Sequence, residues 1–414
     1  MSILHDLCDD SVWEDYLYKK EMIQHYPESE MKNLRELIYG TRRKSGIFDL
    51  TRSIADGEYR FSVPSKRLIS KNRFGKKREV YLFKKKEAVV LKILNHLLSK
   101  YDDIFAPNLF SYRTSIGVKD AIRILFKDKN LCRKYGYKTD IHSYFNTIDV
   151  ELLLEDLNTV LADDPQLFEL MSEILSDSRF KIGKKIMKGD RGALPGVPIS
   201  PFFANVYLMK LDEHFLDSDI TYMRYSDDII MFADSKKKLD DAISYLHSYI
   251  AERRLTINTV KDKYFEPGEE FDFLGFSISS ERIDLCENTK KKIMGDMKRR
   301  SRKFRSWMAE HDAPMEGTVR AYISYYDRKF YGRSETDELT WDRWYLPSIT
   351  TDESLREIDH YLQDRIRFVA TGRYNKKNYE IMPYDKMTEM GYVPLVRRYH
   401  EMHSGEDAMI RWRT

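Results

Sequence analysis

Met223-Arg224-Tyr225-Ser226-Asp227-Asp228-Ile229-Ile230-Met231-Phe232-Ala233 is the stretch in which two apolar runs meet at a pair of carboxylates. Apolar flanks of this length predict two buried strands, 220–225 and 228–233, joined by a tight turn. Two adjacent carboxylates at a buried turn lose their water and repel each other, so a cation is needed to neutralise them. Because other Asp-Asp pairs occur elsewhere, the apolar context and not the pair itself carries the signal. They stand at 9–10, 102–103, 163–164 and 240–241.

A second acid, Asp140, ends another predicted strand near Tyr137–Asp140. Acids from two adjacent strands can converge on one pair of divalent ions, and hard oxygen ligands select Mg²⁺ or Mn²⁺. Two such ions about 3.5–4 Å apart activate a 3′-hydroxyl and stabilise a leaving pyrophosphate. For Asp140 taken alone, the alternative is a buried acid at a strand end.

The pattern of the rest of the chain predicts the fold class to which this pair of strands belongs. Residues 1–60 are predicted to be helical, Lys71–Lys77 a basic turn, and the chain beyond about residue 285 helical, basic and aromatic. Strands alternating with helices, followed by helices only, predict an α+β core with an appended helical domain. Further helices are expected at 87–100, 150–162, 165–177, 202–214 and 236–253, and further strands near 80–83, 263–266 and 271–279.

The charge is distributed unevenly along the chain. The total is only +3, from 70 Lys and Arg against 67 Asp and Glu. Segment 61–100 holds twelve basic residues against two acids, and segment 289–305 holds nine against one, so the remainder is net acidic. Two strongly basic regions in an otherwise acidic chain indicate a polyanionic partner such as a nucleic acid. The alternative for either run alone is a solvated helix face.

Composition excludes several classes of protein. With 42% hydrophobic and 33% charged residues in 414, the chain is predicted to be globular. The most apolar long stretch, 193–209, contains three prolines, which argues against a membrane span. The first ten residues lack a signal-peptide pattern. Three scattered cysteines without CxxC spacing exclude a disulfide scaffold and a cysteine zinc site, and they favour a cytoplasmic location. They are Cys8, Cys132 and Cys286.

These motifs together resemble those of reverse transcriptases, specifically the bacterial enzymes related to group II intron and defence-associated proteins, over roughly 60–280. Tyr225-Ser226-Asp227-Asp228 is similar to the Tyr-x-Asp-Asp catalytic turn, and Asp140 with Phe145 is similar to the first catalytic motif. The resemblance implies an α+β right-hand polymerase fold with fingers, a palm built on an antiparallel sheet with helices, and a helical thumb. The implied domains are an N-terminal helical extension at 1–60, fingers at 61–135, a palm with finger insertions at 136–284, and a thumb with a C-terminal RNA-binding region at 285–414.

The resemblance also implies roles in catalysis. Asp140 and Asp227 are expected to hold two Mg²⁺ ions, or Mn²⁺, with Asp228 as an accessory acid and the Ile141 carbonyl as a further ligand. Phe145 is expected to be a gate against the deoxyribose, where a 2′-hydroxyl would clash, and the alternative for it is core packing. Lys261 is expected to protonate the leaving pyrophosphate, against the alternative of a surface lysine.

Other motifs resemble segments that bind nucleotide, template and primer. Lys71 and Arg78 are similar to fingertip cations that clamp the triphosphate, with Lys76 or Lys77 as alternatives to Lys71. Gly192–Pro201 with Asn205, including Gly196, is similar to the loop and helix that hold the template base and incoming nucleotide. It departs from the commonest pattern, because Pro195 stands where glutamine is usual. The remaining matches are Phe273-Leu274-Gly275 to a primer-grip hairpin, Arg113 to a structural or template-facing cation, and Lys298, Arg299 and Arg302 to thumb cations that contact phosphates.

The activity implied is RNA-directed DNA synthesis from dNTPs on a dedicated non-coding RNA, with an RNA–DNA hybrid as product, in bacterial antiphage defence. Alternatives are a group II intron maturase, a retron reverse transcriptase, and a non-polymerising RNA-binding protein on the same fold. The resemblance also leaves open template-independent or protein-primed synthesis. A homo-oligomer and a partner protein from the same operon stay open as well, and no membrane partner is expected.

Overall fold

The structure, a computed structural model, describes residues 2–23, 26, 28–40, 46–70, 77–128, 130–332 and 340–404. The chain folds into two units, one formed by residues 1–121 with 133–267 and the other by residues 122–132 with 268–414. Among the described residues, no helix combines the length and the apolar character that crossing a membrane requires. The division into fingers, palm and thumb stays a prediction.

Helices and strands alternate in the first unit, as the hydrophobic pattern predicts. Its helices, with α5 continuing into the second unit, are α1 (Asp10–Tyr18), α2 (Glu28–Tyr39), α3 (Phe48–Ala55), α4 (Lys85–Leu97), α5 (Val118–Lys127), α6 (Tyr144–Thr147), α7 (Val150–Val160), α8 (Pro165–Ser176), α9 (Ser200–Tyr207), α10 (Met209–Leu216) and α11 (Lys236–Glu252). Its strands are β1 (Ser65–Ser70), β2 (Lys77–Leu82), β3 (Tyr135–Asp140), β4 (Arg179–Ile182), β5 (Lys185–Lys188), β6 (Thr221–Tyr225), β7 (Asp228–Ala233) and β8 (Lys263–Phe265).

One four-stranded antiparallel sheet, in the order β6-β7-β3-β8, carries the acidic turn. Strand β7 is buried from Ile229 to Ala233, so it is covered on both faces and reads as one continuous apolar run. Helix α11 contacts β3 and β7 and contributes Leu246 to the core. The predicted strands on both sides of Asp227 are confirmed, and the strand pairing places Asp227 at one end of the sheet.

A second sheet, in the order β2-β1-β4-β5, contains the basic hairpin. Strands β1 and β2 pair antiparallel from Ser65 with Leu82 to Ser70 with Lys77. The turn between them, including the predicted cation Lys71, lies outside the described residues. The β4–β5 hairpin was not predicted. Strand β4 alternates polar and apolar residues over only four positions, and the two apolar residues of β5 are exposed, so neither strand shows an apolar pattern of useful length.

The helix predicted at 202–214 is wrong as a single element. It is two helices, α9 and α10, separated at Leu208, where φ is −118° and ψ is 14°. The break leaves α9 fully buried after Pro201, whereas α10 buries only one face. Helix α9 is therefore a core element and α10 covers the edge strand β6, which it contacts.

The second unit is mainly helical, with a small antiparallel sheet near its start. The sheet has the order β11-β10-β9 and is formed by β9 (Phe271–Phe273), β10 (Phe276–Ile278) and β11 (Ile283–Leu285). The helices are α12 (Glu287–Glu310), α13 (Met315–Tyr331), α14 (Trp341–Trp344), α15 (Glu353–Thr371), α16 (Asn378–Ile381), α17 (Tyr384–Glu389) and α18 (Leu395–His403). Helices α12, α13 and α15 pack on one another and bury Tyr322 and Tyr326.

Candidate active site

The acidic turn lies at one end of the β6-β7-β3-β8 sheet. Tyr225 pairs with Asp228 across the β6–β7 hairpin, and Asp140 pairs with Asp228 across β3 and β7. The Ile141 amide donates a hydrogen bond to the Asp227 carbonyl at 3.1 Å. The antiparallel register therefore brings both acidic segments together, as the sequence predicts.

Burial and crowding of negative charge destabilise the ionised form of Asp227. Burial first, and then the charges of Asp228 and Asp140, raise the pKa of Asp227 above its usual value. Asp140 is only 5% exposed, and within the described residues its Oδ1 has no hydrogen-bond partner. A cation at this position would relieve both costs.

Lys261 supplies one positive charge to this cluster. Its ammonium forms an ion pair with Asp140 Oδ2, from a short 3₁₀ turn at Thr259–Lys261. Burial alone would lower the pKa of Lys261, but the hydrogen bond and charge of Asp140, together with Asp228 and Asp227, outweigh it and raise the pKa. Sequence analysis therefore selected a lysine that lies at the acidic cluster.

A cavity of about 500 Å³ opens beside Asp227 and fits a nucleotide-sized ligand. Its lining combines cations with polar and aromatic groups, the types of side chain that suit the phosphates and the sugar and base of a nucleotide. The lining residues are Lys77, Arg78, Glu79, Tyr112, Ser143, Tyr144, Phe145, Asn146, Pro195, Ser226 and Asp227. Two predicted nucleotide-binding residues, Arg78 and Phe145, thus face the same cavity, and Lys77 is the described alternative to Lys71.

The glycine-rich loop fastens the wall of this cavity. The Ala193 amide donates to the Phe145 carbonyl at 2.8 Å, and the Tyr81 amide donates to the Pro195 carbonyl at 2.8 Å. Gly192 has φ +53°, and a Cβ there would lie 2.3 Å from the Phe145 carbonyl oxygen. Gly196 has φ +92° and lies against Val80, so its role in binding a nucleotide stays a prediction.

Backbone strain concentrates around the cavity. Among the described residues, seven residues other than glycine have positive φ, and four of them belong to this site. Such conformations are rare for L side chains and persist where surrounding contacts hold them. The four are Tyr112, Ser143, Leu194 and Ser226.

A buried ion pair that the sequence analysis missed supports the catalytic turn. Arg224 and Asp212 are both fully buried, and Arg224 Nε donates to Asp212 Oδ1 at 2.8 Å. Tyr222 donates its hydroxyl hydrogen to the same oxygen at 2.9 Å. Arg224 Nη1 also donates to the Ser226 carbonyl at 3.3 Å. An arginine inside an otherwise apolar strand was the available signal, because a buried charge requires a partner.

We expect Asp212→Asn to lower the free energy of unfolding by about 3–5 kcal/mol, because it leaves the Arg224 charge buried and uncompensated. Denaturant titration measures this loss. Asp219→Asn breaks an exposed ion pair with Lys238, which water already screens, and should lower the free energy of unfolding far less. Equal losses for the two variants would contradict the supporting role of the buried pair.

The contacts of Arg113 favour a structural role for it over a contact with the template. Its guanidinium donates to three backbone carbonyls, those of Asp102, Ala106 and Leu109, at 3.0–3.4 Å. These bonds hold the end of the segment that passes beside the catalytic turn, where the Phe110 amide donates a hydrogen bond to the Arg224 carbonyl. A template contact for Arg113 stays a prediction.

The second unit contains the predicted primer-grip and thumb residues. Phe273 is buried, and Leu274 and Gly275 form a two-residue hairpin turn with φ +49° and +94°. In α12, Lys298, Arg299 and Arg302 are exposed, and Arg299 also pairs with Asp296. Thr289 Oγ1 bonds the Gly275 carbonyl at 2.9 Å, so this hairpin is attached to the same basic helix.

A family model described as reverse transcriptase (RNA-dependent DNA polymerase) matches residues 69–278, which is half of the chain. The chain therefore belongs to the reverse transcriptase family. The family resemblance drawn from the catalytic motifs is confirmed, and so is the α+β fold class.

Curated relatives match over short regions. The retron Ec86 reverse transcriptase of Escherichia coli is 32% identical over 102 residues, which cover 24% of this chain and 32% of that protein. An uncharacterised 91 kDa protein in the cob intron of Schizosaccharomyces pombe is 23% identical over 219 residues, covering 50% of this chain and 26% of that protein. The aligned part thus spans about a third or less of these relatives.

Solved structures with similarity to this chain include yeast telomerases. Apo telomerase from Candida tropicalis has a TM-score of 0.48 and 12% identity, covering 85% of this chain and 68% of that one. Telomerase from Candida albicans, in complex with a TWJ fragment of telomeric RNA, has a TM-score of 0.44 and 11% identity, covering 87% and 67%.

The donor set at the acidic turn fits a hard divalent cation. It consists of carboxylate oxygens, one of them the unpartnered buried Oδ1 of Asp140. In the described part of the chain, no three acidic, histidine or cysteine side chains form a ready-made metal cluster, and Asp140 is paired with Lys261. Members of the reverse transcriptase family generally use divalent metals, and the assignment of individual ligands belongs to the proposal below.

Proposed function

We propose that this protein is an RNA-directed DNA polymerase that synthesises DNA from dNTPs. The observation that carries the proposal is the antiparallel register that joins Asp140 to Asp228, beside a cavity lined by Arg78, Phe145 and Asp227. Carboxylates, a phosphate-binding cation and an aromatic wall are the groups that nucleotidyl transfer requires. Membership of the reverse transcriptase family supports the same activity.

Each group then has a part in the reaction. Asp140, Asp227, Asp228 and the Ile141 carbonyl would hold two Mg²⁺ ions, or Mn²⁺, which supply activation of the 3′-hydroxyl and neutralisation of the leaving oxygens. The primer 3′-oxygen forms a bond to the α-phosphorus while the bond to the bridging oxygen breaks. Arg78 binds the triphosphate oxygens, and Lys261 Nζ gives a proton to the departing pyrophosphate. Phe145 excludes a 2′-hydroxyl.

The exposed cations of α12 support an RNA or RNA–DNA hybrid as the macromolecular partner. Lys298 and Arg302 lie one turn apart and are exposed, so both can reach phosphates of one strand. The hairpin Phe273-Leu274-Gly275 is proposed as the primer grip. Arg299 is included in the proposed contact, and its pairing with Asp296 orients it.

We expect Lys298→Ala with Arg302→Ala to weaken RNA binding and to reduce its salt dependence. Each lost phosphate contact should lower the slope of log K against log salt by about 0.7 for a single strand and 0.9 for a duplex. Filter binding across a salt series measures both quantities. Lys236→Ala with Lys237→Ala removes two exposed lysines of α11, outside the predicted RNA-binding region, as the matched control. An unchanged slope would remove α12 from the proposed interface.

The proposed setting is bacterial antiphage defence with a dedicated non-coding RNA as template, in the cytoplasm, where the three free cysteines are compatible with reducing conditions. A second candidate is a retron reverse transcriptase, which the 32% identity to the retron Ec86 enzyme favours. A group II intron maturase and a non-polymerising RNA-binding protein stay as further alternatives. A homo-oligomer or a partner protein from the same operon also stays open.

Incorporation of labelled dNTPs by purified protein with its co-purified RNA tests the activity. We expect incorporation that requires Mg²⁺ or Mn²⁺ and is lost when the RNA is first digested. RNA binding without any synthesis would favour the non-polymerising alternative. Synthesis that survives RNA digestion would instead indicate a template-independent enzyme.

Sequencing the RNA and DNA that co-purify with the protein, with and without phage infection, separates the settings. One abundant non-coding RNA, with DNA complementary to it, is expected for the defence setting. An intron ribozyme or a retron RNA would overturn that setting and leave the polymerase activity standing.

A further inference from the structure

Tyr112 lines the nucleotide cavity, and the resemblance of Phe110-Ser111-Tyr112-Arg113 to a finger motif gave this tyrosine no role of its own. Its side chain is 47% exposed, although it is an aromatic residue with φ +58°. L side chains rarely adopt this conformation, so surrounding contacts must hold it. Ser111 supplies one such contact, because its carbonyl accepts from Asn205 Nδ2 at 2.9 Å. The neighbouring Phe110 amide donates to the Arg224 carbonyl at 3.0 Å.

The Tyr112 ring touches both halves of the proposed site. It stands edge-on to Phe145, with ring centroids 6.3 Å apart and planes at 80°. It also lies 6.2 Å from the ring of Tyr225, and its hydroxyl donates to Ser226 Oγ at 3.3 Å. Tyr112 therefore connects the aromatic wall to the catalytic turn.

Phe145 contacts two tyrosines that differ in burial. Tyr144 is fully buried, with its hydroxyl on the Ala204 carbonyl at 2.6 Å, and its ring centroid lies 5.8 Å from that of Phe145. It fixes one side of Phe145 as part of the core. Tyr112, which is exposed, makes the second ring contact to Phe145, and Phe145 itself is only partly buried.

Tyr112 also lines a second cavity. Besides the nucleotide cavity, it lines a smaller one of about 180 Å³ that includes Arg113, Phe202 and Asn205. Truncating the ring would enlarge the space beside Phe145 and give that side chain room to move. A pocket enlarged at this wall can accept a bulkier sugar.

We infer that Tyr112 is a positioning residue that sets sugar specificity by holding Phe145 against the incoming nucleotide. This inference rests on the proposed polymerase function and on Phe145 as the sugar contact. The phenol lies within electrostatic reach of Asp227 and Arg78. Burial and the charge of Asp227 raise its pKa, whereas Ser226 and Arg78 act in the opposite direction. The residue is thus positioned between the proposed triphosphate clamp and the catalytic acids.

The test compares dTTP and UTP on poly(rA) primed with oligo(dT). Tyr112→Ala should lower the ratio of kcat/KM for dTTP over UTP by about tenfold, which corresponds to the upper end of the interaction energy of one aromatic pair. Tyr112→Gly should do the same and relieves the positive φ, which guards against a folding defect. Tyr112→Phe keeps the ring and should retain the ratio. Tyr18→Ala removes an exposed tyrosine of α1 as the control.

A double variant separates positioning from direct contact. If Tyr112 acts through Phe145, adding Tyr112→Ala to Phe145→Ala should change the ratio no further. A ratio unchanged in Tyr112→Ala and Tyr112→Gly, with dTTP incorporation retained, overturns the inference alone. If the wild-type protein incorporates nothing, equilibrium binding of dTTP and UTP replaces the kinetic ratio. An unchanged ratio of Kd values again overturns the inference, and a protein that binds neither nucleotide overturns the proposed function with it.

Discussion

Asp227→Asn is expected to reduce dNTP incorporation by at least about 10³-fold, the scale on which removing a charged catalytic group acts. Asp227 lies at the turn between β6 and β7, and its backbone carbonyl accepts from the Ile141 amide. Asparagine keeps the size and the turn while removing the negative charge. The reaction loses charge neutralisation at the cation site, whereas the surrounding backbone contacts remain.

The same substitution should leave the fold intact. Burial and the nearby charges of Asp228 and Asp140 raise the pKa of Asp227, so removing its charge relieves repulsion in the folded state. The melting temperature is therefore expected to stay equal or rise. Asp240→Asn is the matched control, because Asp240 and Asp241 form an exposed Asp-Asp pair on α11. Incorporation by Asp227→Asn at the wild-type rate would end the catalytic assignment.

Sequence reasoning succeeded where chemistry and hydrophobic pattern coincide. Around Asp227 and Asp140, apolar strands end in carboxylates, and both the strand period and the cost of buried charge point to the same arrangement. The antiparallel register then follows from the short β6–β7 turn and from the pairing of β3 with β7. Motif and periodicity predicted the acidic end of the sheet without knowledge of the rest.

Prediction from the sequence failed where contacts between residues far apart in the chain determine the structure. The ion pair between Arg224 and Asp212 joins β6 to α10, and neither residue reveals its partner through local spacing. The β4–β5 hairpin is built from two four-residue strands that are largely exposed, so its alignment along β1 leaves only a short apolar pattern. Tyr112 also gave no local signal. The positioning role that we infer for it depends on the ring of Phe145, which lies 33 positions further along the sequence.

Phe145→Ala is expected to lower discrimination of dTTP over UTP by about 10–200-fold, the range that one shaped pocket contact supplies. Phe145 lines the cavity beside Asn146, and its backbone carbonyl is fixed by the Ala193 amide at 2.8 Å. Removing the ring leaves space where a 2′-hydroxyl fits, while the backbone that carries it stays anchored. UTP incorporation should rise, and dTTP incorporation should fall less than the ratio changes.

The alternative role for Phe145 is core packing. The two roles differ in whether truncation changes only the free energy of unfolding or also the dTTP/UTP ratio. A residue that only packs should cost about 3–5 kcal/mol of unfolding free energy when truncated to alanine and should slow both nucleotides equally. A gate should change the dTTP/UTP ratio whatever the loss of stability, because the ratio cancels the fraction of protein that is folded. Leu216→Ala removes an exposed apolar side chain of the same unit and should leave the ratio unchanged. A ratio equal to wild type in Phe145→Ala would assign this residue to the core and leave sugar selection to another wall of the cavity.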